Sequence, residues 1–66
     1  MQITLNGEST TIPDNATIVV LLDELAITGR RLAVEVNEDI VPRSQHGEFR
    51  LNPGDRVEVV HAIGGG

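Results

Sequence analysis

The chain has 66 residues, ten acids against five basic residues that are all arginine, a formal net charge of -5 and no cysteine. That length supports one small domain with about 3–5 kcal/mol of net stability, and the composition provides no disulfide or thiolate–metal site to reinforce it. The acidic surplus disfavours nucleic acid, Phe49 is the sole aromatic for stacking a base, and the longest aliphatic run, Ile18 to Leu22, is too short to span a bilayer.

Met1, Ile3 and Leu5 alternate with Gln2, Thr4 and Asn6, the period of a half-buried strand. Asn6-Gly7 provides the two positive-φ residues of a type I′ hairpin turn, and Glu8 to Ile12 returns as the second strand until Pro13-Asp14-Asn15 ends it. Thr17 is placed to cap a short helix whose apolar stripe is Ile18, Leu21, Leu22 and Leu25. Val19 and Val20 favour strand locally, but Asp23-Glu24 breaks the alternation and Gly29 stands where a left-handed C-terminal cap belongs. Arg31 to Asn37 alternates again and predicts a third strand. Ile40-Val41, closed by Pro42, suits an edge. Arg43 to Leu51 is weakly periodic and predicts a turn or a short strand around Glu48-Phe49. Asn52-Pro53-Gly54-Asp55 has the residues of a type II turn, and Arg56 to about Ala62 forms the last strand.

One helix covers one face of one sheet in this order, so the expected class is α+β with two layers and the final strand beside the first. The domain is expected to span 1–62, with 63–66 a flexible glycine tail that reaches about 14 Å when extended. Its expected core is Ile3, Leu5, Leu21, Leu22, Leu25, Leu32, Val34, Val36, Val57 and Val59.

Candidate chemistry is sparse. Ser44 and His46 at i+2 are a poor basis for a hydrolase, and the carboxylate pairs Asp23-Glu24 and Glu38-Asp39 belong facing water. His46 and His61 lack partners at metal-ligand spacing, so no metal site is expected. The terminal glycines open no helix and cradle no phosphate. His61 reads as a strand residue at the root of the tail. The outer sheet face carries Glu35, Glu58, Val60 and Ala62, an apolar centre with a charged rim suited to docking on a basic protein surface. A terminal glycine carboxylate is the least hindered acyl group a polypeptide offers, which leaves Gly66 as the candidate reactive group. Met1 to Thr4 has no basic lead into an apolar stretch, and the absent cysteine fits a reducing compartment, so the expected location is cytoplasmic.

Ile3-Thr4-Leu5-Asn6-Gly7, the entry Ala16-Thr17 into Leu21-Leu22 and Leu25, Leu32 to Asn37, Ile40-Val41-Pro42-Arg43, Gly54-Asp55 and Gly65-Gly66 together resemble the ubiquitin-like β-grasp sulfur carriers, most closely the ThiS family of thiamin biosynthesis. The resemblance covers essentially the whole chain. Gly64 extends the usual terminal pair to three. The resemblance implies a β-grasp fold, a mixed sheet of four to five strands with one helix packed on one face. It implies a carrier and not an enzyme: an E1-like adenylating enzyme would use ATP to activate the Gly66 carboxylate. Sulfur from a donor such as a cysteine desulfurase system would then leave a thiocarboxylate, and thiazole synthase would consume that sulfur. Ile63, Gly64 and Gly65 would thread into the partners' active sites, with no cofactor bound by the carrier itself. Two other readings use the same residues: a molybdopterin-synthase small subunit, and a β-grasp interaction module without terminal chemistry.

Overall fold

The computed structural model describes residues 1–27 and 32–61. The alternating N-terminal residues form β1 (Gln2–Leu5), which returns as β2 (Glu8–Thr11) in antiparallel register from Gln2–Thr11 to Leu5–Glu8. Asn6 and Gly7 have φ of 48° and 84°, as a type I′ turn requires. Asp14, just past β2, accepts a hydrogen bond from the Met1 ammonium at 2.9 Å, and Ile12 O accepts another at 2.6 Å.

Helix α1 (Ile18–Glu24) starts at Thr17, whose Oγ1 accepts Val20 N–H at 3.3 Å. The two amides before it are satisfied from another segment: Phe49 O accepts Ile18 N–H at 3.2 Å and His46 O accepts Val19 N–H at 3.1 Å. The helix ends well before the expected cap at Gly29, which lies outside the described residues. Ala26 takes the left-handed conformation, with φ 53°. Ala26 N–H donates to Asp23 O at 3.0 Å and Ile27 N–H to Leu22 O at 2.9 Å, the paired bonds of a Schellman motif. Leu22 and Ile27, the two positions whose apolar contact accompanies this motif, line one hollow and are both packed against the core.

Strands β3 (Leu32–Val36), β4 (Asp39–Val41) and β5 (Arg56–His61) complete a five-stranded sheet in the order β2-β1-β5-β3-β4. Strand β5 runs parallel to β1 and antiparallel to β3, so the last strand is central and lies beside the first, as expected. Arg43–Gln45 forms one turn of 3₁₀ helix. Of the turn or short strand expected around Glu48-Phe49, the turn forms, because Gln45 O accepts the amides of both Glu48 and Phe49. The bridge in this region joins Arg50 to Thr17. The turn before β5 has Gly54 at φ 83° and Asp55 N–H bonded to Asn52 O at 3.1 Å.

Ile3, Ile18, Leu21, Val34, Leu51 and Val57 are the largest fully buried side chains, joined by Ile12, Ala16, Val36, Val41 and Val59. Leu5, Leu22, Leu25 and Leu32, expected in the core, are half-buried at its margin. A helix of seven residues covers only the middle of the sheet, so Ile12, Ala16 and Leu51 from the connections complete the burial.

Candidate functional site

The face of the sheet away from α1 is assembled from alternate residues of the central strands. Glu35 on β3 lies directly opposite Glu58 on β5, and Ala33 opposite Val60. Ile40 on β4 pairs with Glu35 from the other side. Val60 is 51% exposed and Ile40 72%, so two bare aliphatic side chains flank the acids. Glu35, Glu38, Arg56 and Glu58 line a small hollow of about 70 Å³, where Arg56 reaches Glu38 at 3.6 Å. Like charges directly opposed across a ladder oppose folding by up to about 1 kcal/mol, and the Arg56 guanidinium in the same hollow offsets part of that repulsion. The structure thus brings together Glu35, Glu58 and Val60 of the expected docking surface and adds Ile40. Ala62 lies outside the described residues, as do Ile63, Gly64, Gly65 and Gly66.

The described chain ends at His61, opposite Leu32. Strand β5 leads to that point and is held by two polar side-chain networks. At its start, Asn37 Oδ1 accepts Arg56 N–H at 3.0 Å and Asn37 Nδ2 donates to Asp55 Oδ1 at 3.1 Å, while Asp55 Oδ2 accepts Asn52 N–H at 2.8 Å. These bonds satisfy the carboxylate of Asp55, which is buried. Farther along, Asn6 Oδ1 accepts Val59 N–H at 2.9 Å and Asn6 Nδ2 donates to Val59 O at 3.2 Å. Sequence reasoning uses Asn6 only for its turn and leaves its side chain without a role, because a contact between residues this far apart leaves no local period.

Ser44 and His46 do not form a reactive pair. His46 is 5% exposed, and its Nε2 donates to Val41 O at 2.9 Å, which places it in the interior. Among the described residues no group of three or more His, Cys, Asp or Glu could hold a metal ion. A hollow of about 300 Å³ between α1 and the 3₁₀ turn is lined by Val19, Leu22, Ile27 and Leu32, with Asp23, Arg43 and His46. The Asp14 carboxyl is held below its ordinary value of 3.8 by the hydrogen bond from the Met1 ammonium and by its positive charge. Among the described residues no helix is long and apolar enough to cross a membrane.

A mixed sheet crossed on one face by one helix, with the final strand at its centre, defines a ubiquitin-like β-grasp domain. The crystal structure of the thiamine biosynthesis protein (ThiS) from Geobacter metallireducens superposes with a TM-score of 0.89 at 28% identity, each chain covered in full. The model of the ThiS family matches residues 3–66, and the chain belongs to that family. It is 30% identical to the sulfur carrier protein ThiS of Escherichia coli over 66 residues, all of both chains. It is 41% identical to a thiazole synthase of Paramagnetospirillum magneticum, spanning 20% of that protein's length.

Proposed function

We propose that this chain is a sulfur carrier of thiamin biosynthesis and that the Gly66 carboxyl is the group it carries sulfur on. The carrying observation is the family match, which runs through the body of the domain and its glycines to residue 66. A carboxylate is a poor electrophile, so the first step is adenylation by an E1-like enzyme, with ATP consumed and pyrophosphate released. The outer sulfur of a cysteine persulfide, delivered by a desulfurase system, then displaces AMP to give an acyl disulfide, and a thiol cleaves its S–S bond, releasing the thiocarboxylate and itself leaving as a disulfide. Ile63, Gly64 and Gly65 thread the partner's active site, because glycine adds no side-chain bulk there. Glu35, Glu58, Val60 and Ala62 dock the body, an apolar centre with a rim of acids facing a basic surface. The sulfur acceptor is thiazole synthase, which the similarity to long proteins of that name supports.

Incubation with ATP, the adenylating enzyme and a sulfur donor should raise the intact mass by one oxygen-to-sulfur exchange, confined to the C-terminal peptide. An exchange that never forms, or that persists after deletion of Gly65-Gly66, would overturn this reading. Delivery of labelled sulfur to thiazole and not to molybdopterin separates the two carrier pathways.

A further inference from the structure

We infer that Asn6 is a positioning residue for the tail: its carboxamide extends the pairing of β1 by one rung and fixes β5 at Val59, two residues before the end of the strand that leads to the tail. The inference rests on the carrier reading. Backbone pairing of β1 with β5 covers only Thr4–Arg56 and Leu5–Val57, and its last bond is Asn6 N–H to Val57 O at 2.9 Å. There the main chain turns back into β2. Alternate residues of a strand aim their backbone groups at the same neighbour, so Val59 presents its N–H and C=O where β1 has run out. Asn6 answers both, at 2.9 and 3.2 Å, as a peptide group of a longer β1 would.

Turn chemistry alone does not account for this. Aspartate or glycine also suits a type I′ turn. Neither both accepts and donates: aspartate lacks the N–H pair and glycine lacks the side chain. The two bonds are therefore a separate property of asparagine. Without them the last residues of β5 are held only by β3. Each residue that frays must be ordered again when a partner grips the tail, which weakens docking without altering the chemistry that follows.

The test uses Asn6→Asp and Asn6→Gly, both compatible with the turn, and Ile12→Val at the opposite end of the hairpin as a control with its own loss of Tm. Hydrogen exchange of the Val59 amide in the free protein is read first and does not depend on sulfur chemistry. Exchange should rise about tenfold in both Asn6 variants, on the scale of one lost hydrogen bond, and less in Ile12→Val. Pyrophosphate release by the adenylating enzyme should then show the KM for the carrier raised about tenfold with kcat within about twofold, and Ile12→Val near wild type. If Asn6→Asp does not fold, Asn6→Gly carries the same comparison. Unchanged Val59 exchange, unchanged KM, or a KM that tracks Tm equally in all three variants overturns the inference. Wild-type protein that is never adenylated overturns the carrier reading instead.

Discussion

At Ala26 the backbone holds φ 53°, a conformation that costs a residue with a Cβ about 1–2 kcal/mol. Glycine removes that cost but adds freedom to the unfolded chain, so Ala26→Gly should stabilise the domain by roughly 0.5–1 kcal/mol. Tm should rise by several degrees in thermal denaturation. His46 and Ser44 make an opposed pair. His46→Ala deletes a buried ring and its bond to Val41 O, and should cost about 2 kcal/mol or more in a urea titration. Ser44 is exposed, and Ser44→Ala should stay within about 0.5 kcal/mol of wild type. A catalytic dyad would give the reverse pattern, with activity lost and stability retained. Asp14 sets a pH dependence. Because its folded pKa is lowered, its contribution is full above 3.8 and is lost as pH falls below that through the folded value. Asp14→Asn should therefore lower the neutral plateau of a Tm–pH profile slightly and flatten its acid limb, with the values at the lowest pH little changed.

Among the elements, α1 depends most on its ends. It has seven residues, too few to persist without packing, and Thr17 caps it by accepting Val20 N–H. Thr17→Ala should cost about 1 kcal/mol, read as a lower denaturation midpoint at constant m. The hairpin, the cap and the final strand are legible in the sequence because each carries a local mark: Asn6-Gly7, Thr17 before an apolar stripe, and Val57 and Val59 alternating with the charged Arg56 and Glu58. Arg43 to Leu51 carries no such mark. Its contribution is made by the carbonyls of His46 and Phe49, which bond the first amides of α1, and backbone groups leave no signature in side-chain periodicity. The cap at Ala26 is obscured for the opposite reason: Gly29 carries the sequence mark of a cap, while the chain takes the left-handed conformation three residues earlier, at an alanine. The face proposed for docking is half legible. Period two puts Glu35, Glu58 and Val60 outward, but only the register of β3 against β5 sets the two acids opposite each other.

For the whole molecule, the outer face sets Glu35 opposite Glu58 at the positions proposed for docking. Glu58→Gln removes the repulsion from Glu35 and should stabilise the free protein by roughly 0.2–1 kcal/mol. The same substitution should weaken docking on the adenylating enzyme and reduce the salt dependence of KM, measured at low and high ionic strength. A rise in Tm together with a rise in KM identifies the face as a docking surface; a rise in Tm alone would remove Glu58 from it.

The central place of β5 also has a mechanical consequence. Ladder hydrogen bonds lie across the strand direction, so a pull on the chain beyond His61 loads those to β1 and β3 in shear, several at once, where an edge strand would peel away bond by bond. Traction on the terminus therefore moves the domain as one body. On the proposed carrier reading, a partner that draws in the tail would be met by the sheet acting as a stop.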